Sequence, residues 1–154
     1  MSQCNFRKTL LVGLAALFAA CSPAEQEGGS NVEVVAEVES LEGSRWQLAQ
    51  LTVLGGHVFE PDDPSKYDLY FRSGDRLTGS SDCNDIQGSW FQEADTLRFE
   101  PFRVTRALCA PGSLHNNLTL YMMNVSGYKL EGERLVLTTP TEEVAIEYKA
   151  VQQP

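Results

Sequence analysis

Two segments, GSSDCNDIQGSW at residues 79–90 and TRALCAP at residues 105–111, decide the fold of this chain. Glycine suits a bend or a bulge in a strand, and we expect this role for Gly79 and Gly88. Asparagine can bond its own backbone in a turn, and we expect this of Asn84. The first segment is therefore typical of strands that bend or bulge, with a turn close to Cys83.

Most of the chain after residue 40 alternates apolar and polar residues with the two-residue period of half-buried strands. The pattern predicts a first strand with Trp46, Leu48 and Leu51 on one face. It also predicts a hairpin that turns at residues 73–74, and a loop rich in glycine, proline and aspartate at residues 55–65. Further strands are predicted at residues 67–71, 76–80, 87–92, 96–100, 103–106, 128–130, 135–138 and 144–148.

One segment departs from this pattern. After the turn at residues 111–112, Leu114, Leu118 and Val125 recur at the spacing of an α-helix. Ser113 is available as an N-cap, and Gly127 as a C-terminal stop. We expect a single amphipathic helix that packs its apolar side against the sheet.

Together these segments resemble the META domain, the family of HslJ-like envelope proteins. Its members typically carry a Trp-x-Leu opening strand, a Gly-x-x-Gly-Cys-Asn segment followed by Gly-x-Tyr, and Thr-x-Met-Ala-Cys just ahead of a helix. Here Trp46 and Leu48 supply the opening strand, and Asp82 stands where the family usually has its second glycine. The likeness extends over residues 41–151.

The resemblance implies an α+β fold, in which a curled, barrel-like antiparallel sheet wraps one α-helix. It implies little chemistry, because no catalytic residues are established for the family, which is linked in general terms to heat shock, envelope stress and drug tolerance. We expect Trp46 and Trp90 to pack in the core rather than to stack on a ligand.

Residues 1–20 have the features of a bacterial lipoprotein signal peptide. The basic pair Arg7 and Lys8 precedes an apolar run that is shorter than the roughly 20 residues of a membrane-spanning helix. The sequence LFAAC at residues 17–21 resembles a lipobox, which predicts a lipid anchor at Cys21. An ordinary secretory cleavage is the alternative, although Phe18 is bulky for such a site. We expect a location in the cell envelope, on the periplasmic face of the outer membrane.

Residues 21–40 form an acidic linker in this interpretation, and residues 41–154 form the META-like domain. The linker contains five glutamates, no basic residue and no aromatic residue, so we expect it to be disordered. Removing residues 1–20 would take Arg7 and Lys8 away and change the formal charge from −9 to −11. Phosphate binding needs clustered Lys and Arg, so nucleic acid and anionic lipid head groups are poor expected partners.

Of the four cysteines, Cys4 would leave with the signal peptide and Cys21 would carry the lipid. Cys83 and Cys109 would remain, in an oxidising compartment that favours a disulfide between them. A metal pair and a catalytic thiol with a histidine base are the alternatives, and the first lacks further Cys or His at a suitable spacing.

Groups that could carry chemistry are few. We expect His57, His115, and the acids Asp62 and Asp63 to be solvated, and we predict no catalytic residue, no metal site and no cofactor. The arginines at positions 103 and 106 are the candidate binding residues, because an arginine fork can hold a carboxylate. The alternative for Arg103 and Arg106 is an ion pair with a neighbouring aspartate.

These observations predict a non-enzymatic, lipid-anchored module. It would bind an envelope protein or a cell-wall component and support envelope integrity under stress. The alternative is a protein inhibitor of an envelope-directed hydrolase such as lysozyme.

Overall fold

The computed structural model describes residues 41–141 and 143–151, so the predicted signal peptide, the lipidated Cys21 and the acidic linker lie outside the described residues. The described residues belong to one compact unit. Their elements, in chain order, are β1 Arg45–Thr52, β2 Val58–Phe59, a 3-10 helix Pro64–Lys66, β3 Asp68–Arg72, β4 Arg76–Ser81, β5 Asn84–Glu93, β6 Thr96–Val104, α1 His115–Met122, β7 Gly127–Glu131, β8 Arg134–Thr138 and β9 Ala145–Ala150. None of the helices described is long and apolar enough to cross a membrane.

The strands form one antiparallel sheet in the order β6-β5-β4-β3-β1-β9-β8-β7, with β2 paired to β1. The sheet curls until its two ends meet. Tyr128 in β7 donates its backbone N–H to the carbonyl oxygen of Asp95 at 3.1 Å. The hydroxyl oxygen of Tyr128 also accepts a hydrogen bond from Gln92 Nε2 at 2.5 Å. The predicted curled antiparallel sheet with one helix is confirmed.

An irregularity in β1 explains the spacing of its buried residues. Trp46, Leu48 and Leu51 are all 0% exposed, although strict alternation would bury position 50 instead of 51. The register between β1 and β9 shifts between Leu48 and Gln50, which adds one residue to β1 at this point. The extra residue returns Leu51 to the inner face of the sheet.

The helix packs its buried residues, Leu118 and Met122, into the core. The prediction of Ser113 as the N-cap was wrong, since Leu114 occupies the cap position and no side chain of the described residues caps the helix. Ser113 lies one residue earlier, and its Oγ accepts a hydrogen bond from the backbone N–H of His115 at 3.2 Å. The prediction that Gly127 ends the helix was wrong, since Gly127 is the first residue of β7. A Cβ at this position would lie 2.9 Å from Thr138 Oγ1, so close strand pairing accounts for the glycine.

The predicted strand at residues 103–106 was also wrong. β6 continues without a break from Thr96 to Val104, and residues 105–114 belong to neither a strand nor a helix. Regular pairing with β5 ends here, because β5 begins at Asn84. Beyond this point the side chain of Asn84, rather than a strand backbone, bonds the backbone N–H of Ala107.

The two glycines of the first segment have different roles. Gly88 lies at the register shift between β5 and β6 and marks the expected bulge. Gly79 lies inside regular pairing, where a Cβ would overlap the carbonyl oxygen of Asp68, so close approach of the strands accounts for it. Trp46 and Trp90 are buried in the core, as expected.

Candidate functional site

Residues 105–114 connect β6 to α1, and we call them the braced loop. Asn84, 2% exposed, holds the start of this loop. Its Oδ1 accepts hydrogen bonds from the backbone of Ala107 at 2.7 Å and from Thr105 Oγ1 at 3.0 Å. Its Nδ2 donates to the carbonyl oxygen of Ala107 at 3.1 Å. The expectation that Asn84 bonds its own backbone was wrong: its side chain holds a segment about 20 residues away.

A disulfide between Cys83 and Cys109 forms the second brace, with 5.4 Å between the two Cα atoms. Asn84 Nδ2 lies 3.3 Å from Cys109 Sγ, so the amide and the disulfide meet at one place. Because both sulfur atoms are bonded to each other, neither is a thiol ligand or a nucleophile in this structure. The far end of the loop is tied as well, since Leu114 donates its N–H to the hydroxyl of Tyr67 at 3.0 Å.

Between these ties the loop presents Leu108, whose side chain is 100% exposed. Arg106 is also exposed. The hollow beside the loop, partly lined by Pro111 and Asp82, has a volume of about 130 Å³. Pockets for small molecules are typically about 300–1,000 Å³. The loop therefore offers a convex contact surface rather than a cavity for a small molecule.

The two predicted binding residues lie on different parts of the surface. Arg103 is on the outer face of β6, and Arg106 is in the braced loop. Within residues 41–141 and 143–151, neither arginine forms an ion pair with a carboxylate. The alternative of an internal ion pair is therefore not supported by the described residues.

A serine and a histidine come together on the inner side of the domain. His115 Nδ1 lies 3.0 Å from Ser81 Oγ, so His115 is half-buried and bonded rather than fully solvated as expected. Ser81 is 0% exposed and cannot meet a substrate in this conformation. His57 is exposed in the loop between β1 and β2. The pair therefore joins α1 to β4 and does not present a nucleophile.

Asp62 and Asp63 are exposed, as expected. Asp63 caps the 3-10 helix and accepts hydrogen bonds from Ser65 Oγ at 2.6 Å and from its backbone N–H at 3.1 Å. These two bonds lower the pKa of Asp63 below its ordinary value. Among the described residues, no three Asp, Glu, His or Cys side chains are grouped so that they could hold a metal ion.

The family model of the META domain matches residues 39–152, which is most of the chain and all of the elements described above. The chain belongs to the META domain family. No curated protein matches the chain significantly.

Solved structures share the fold of this META domain. An NMR structure of a protein from Burkholderia xenovorans is similar with a TM-score of 0.61 and 17% identity, covering 73% of this chain and 85% of that one. A crystal structure of a DUF4847 family protein from Bacteroides vulgatus is similar with a TM-score of 0.54 and 15% identity, covering 79% of this chain and 98% of that one. At these identities the likeness concerns the fold.

The structure explains one position where this META domain differs from its family pattern. Asp82 replaces the second glycine of the motif and has a φ of +56°. Positive φ favours glycine, and aspartate is among the few other residues that tolerate it. Asp82 donates its N–H to the carbonyl oxygen of Lys66 at 2.8 Å. This bond holds the backbone conformation of the residue immediately before Cys83.

Sequence reasoning missed three exposed residues of this META domain: Leu108, Arg72 and Arg76. Leu108 could have been found from its place beside Cys109 in a segment with no periodic pattern. The two arginines flank the predicted hairpin turn, and pairing of that hairpin puts them opposite each other.

Proposed function

We propose that this META domain is a non-catalytic binding module of the cell envelope, held to the membrane by a lipid on Cys21. It contacts a protein partner through the braced loop. The observation that carries the proposal is the full exposure of Leu108 on a loop held by both Asn84 and a disulfide. Single exposed apolar residues are common on protein surfaces, so exposure alone does not indicate a binding site. Leu108 is a candidate because the loop that carries it is held in place.

Bracing matters because binding costs conformational entropy. A loop that already holds its bound shape loses less freedom on association, which strengthens binding without new contacts. Arg106 is two residues from Leu108, and arginine is enriched among the residues that dominate binding energy. A rigid loop that carries an exposed leucine and an arginine is suited to a shallow site on another protein.

The linker supports the same proposal. Residues 22–40 are acidic and contain no aromatic residue, a composition that favours an extended, flexible segment. Such a linker would let the domain search the surface near its anchor at a high local concentration. The variant Cys21→Ser tests the anchor, because it removes the thiol that takes the lipid. We expect the variant to lose lipid by intact mass, whereas recovery of unlipidated wild-type protein would contradict the anchor.

Complementation tests the loop. In a strain that lacks this protein, we expect greater sensitivity to heat or to hydrophobic antibiotics. The wild-type gene should restore tolerance, and Leu108→Asp should not. Leu120→Asp is the matched control, because Leu120 is also exposed, at 52%, but lies on α1. Equal rescue by both variants would overturn the role of the loop.

A double variant tests the absence of catalysis. His57→Ala combined with His115→Gln removes both histidines of the chain. The proposal predicts full rescue of tolerance, since binding through the loop needs neither imidazole. Loss of rescue by a double variant that folds and reaches the membrane normally would point to histidine chemistry instead.

The braced loop also favours a second candidate, a protein inhibitor of an envelope-directed hydrolase such as lysozyme. A rigid convex loop with an exposed Leu108 has the form that enters an enzyme cleft. Purified protein should then slow cell-wall hydrolysis by lysozyme, and Leu108→Asp should abolish the effect. Unchanged hydrolysis at a large excess of the protein would eliminate lysozyme as the target.

A further inference from the structure

Four arginines lie on the outer face of the β3–β6 part of the sheet: Arg72, Arg76, Arg98 and Arg103. We call Arg72, Arg76 and Arg103 the arginine face; Arg98 lies farther along β6, opposite Phe91. Arg72 in β3 lies directly opposite Arg76 in β4. In the neighbouring row of outward residues, Thr78 pairs with Gln87, and Gln87 pairs with Arg103. Residues at these positions point to the same side of the sheet, so the three cations lie on one surface.

Within the described part of the chain, none of these three arginines forms an ion pair with a carboxylate, although other cations do, such as Arg45 with Asp68. Like charges directly opposite each other in an antiparallel pair are destabilising. The full chain has 21 acidic and 12 basic residues. Two carboxylates, Asp85 and Glu100, occupy outward positions on β5 and β6, and within the described residues neither forms an ion pair with these arginines. A surface that keeps its arginines together and unneutralised is therefore suited to an external anion.

Neighbouring groups hold two of these side chains in place. Arg72 Nε donates to Thr78 Oγ1 at 2.8 Å, and its guanidinium carbon lies 4.4 Å from the centre of the Tyr70 ring. Arg76 Nε donates to the carbonyl oxygen of Ser73 at 3.3 Å. Both bonds use Nε. The terminal Nη atoms of both guanidinium groups have no hydrogen-bond partner among the described residues, and they remain available to a ligand.

Part of the arginine face surrounds a depression of about 370 Å³. The depression is shallow and open, so a ligand bound there would remain partly exposed to solvent. Hydroxyl and amide groups line it beside the cations, and these are the groups that bond the hydroxyls of a sugar. Its lining includes Arg76, Thr78, Gln87, Ser89, Pro101 and Arg103.

We propose that the arginine face binds a phosphorylated saccharide, with the phosphate held by the guanidinium groups and the sugar by Thr78, Gln87 and Ser89. A single arginine fork satisfies the two oxygens of a carboxylate. Arg76 in β4 and Arg103 in β6 approach one depression from different strands, and two guanidinium groups are better matched to the three terminal oxygens of a phosphate monoester. The proposal goes beyond the function proposed above, since it concerns another surface and does not depend on the lipid anchor.

This inference revises the expectation from composition. A net charge of −9 argued against phosphate-bearing partners. Net charge sums over the whole chain, however, whereas a ligand meets only the local surface. The pairing of β3 with β6 through β4 and β5 brings together arginines that are up to 31 positions apart in the sequence.

Titration with glucosamine 6-phosphate tests the proposal, followed by NMR or calorimetry on the full chain purified in detergent. We expect saturable binding that weakens as salt is added, and no comparable binding of glucosamine or of glucuronate. The variants Arg76→Gln and Arg103→Gln should each weaken binding about tenfold, the usual scale for losing a charge-assisted hydrogen bond. Arg98→Gln should change binding less than about twofold, because Arg98 lies on β6 but does not line the depression.

A second titration separates the two sources of such a ligand. Detergent micelles that contain a phosphorylated glycolipid present the group as a lipid head group, and free glucosamine 6-phosphate presents it in solution. Binding in either form that depends on Arg76 and Arg103 supports the proposal. The proposal is overturned if the phosphorylated sugar binds in neither form, if Arg98→Gln has the same effect as the other two variants, or if glucuronate or an oligonucleotide binds more tightly through the same arginines.

Discussion

The side-chain amide of Asn84 pairs with the backbone of Ala107 in the way that one strand residue pairs with another. Its Oδ1 accepts from the N–H of Ala107 at 2.7 Å, and its Nδ2 donates to the carbonyl oxygen of Ala107 at 3.1 Å. Regular pairing of β6 has ended at Val104, and the amide holds a residue three positions beyond the end of the strand. This contact turns the start of the connection to α1 into a fixed loop.

The variant Asn84→Asp should therefore destabilise the domain with almost no change in side-chain size. A carboxylate cannot donate to the carbonyl oxygen of Ala107, and it is buried at this position. We expect a loss of about 2–3 kcal/mol in the free energy of unfolding at neutral pH, measured with urea. The loss should shrink at acidic pH, where a protonated Asp regains a donor and burial favours the neutral form.

Asn117→Asp is the matched control for this variant, because Asn117 is exposed on α1. It should change stability by less than about 0.5 kcal/mol. Equal stability of the two variants would show that the Asn84 contact does not hold the loop.

The disulfide should be the second support of the same loop. It closes a segment with a sequence separation of 26 residues. In the chain-entropy model, a loop of this size corresponds to about 3 kcal/mol of stability. The double variant Cys83→Ser and Cys109→Ser should lose about this amount, and reduction of the wild-type protein should give a similar loss. Labelling of the unfolded, unreduced protein should find no free thiol at either position, and two labelled thiols would contradict the bond.

The buried Tyr148 makes the domain sensitive to high pH. Burial, and to a smaller extent the negative charge of Asp68, raises the pKa of Tyr148 well above its ordinary value of 10.0. The folded state therefore favours the neutral phenol. Its contribution to stability is complete below the unfolded pKa of about 10 and is lost as the pH rises from there through the folded pKa.

Tyr148→Phe should remove this part of the alkaline loss. Among the described residues the hydroxyl donates to Met122 Sδ, a weak acceptor at 3.7 Å, so the cost at neutral pH should be below about 1 kcal/mol. Urea unfolding between pH 8 and about 11 measures the difference. A variant that loses stability with pH as steeply as the wild-type protein would show that Tyr148 does not control the alkaline transition.

The sequence was informative where a pattern reports burial directly. The alternation of apolar residues predicted most strands, and helical spacing predicted α1, because burial on one face imposes these periods. The ends of elements were less predictable. Gly127 was taken as a helix stop, but its role is to fit against Thr138 on the neighbouring strand. That contact joins residues 11 positions apart, which a local pattern does not report.

The braced loop and the arginine face were harder to predict than the elements, because their residues are distant from one another in the sequence. Asn84 was identified as a turn residue, but its partner lies 23 positions away. Arg103 was identified as a candidate binding residue together with Arg106, whereas its neighbours on the arginine face come from β3 and β4. These relationships follow from strand pairing, and the register of pairing was not readable from the chain.

Crosslinking in living cells tests the central claim, that this META domain acts by binding a partner through the braced loop. A photoreactive amino acid at position 108 would lie at the exposed tip of the loop, and one at position 120 would lie on the exposed side of α1. We predict one discrete crosslinked product from position 108, lost in the background of Asn84→Asp, and none from position 120. No product from position 108 in a protein of normal abundance, or the same products from both positions, would contradict the account.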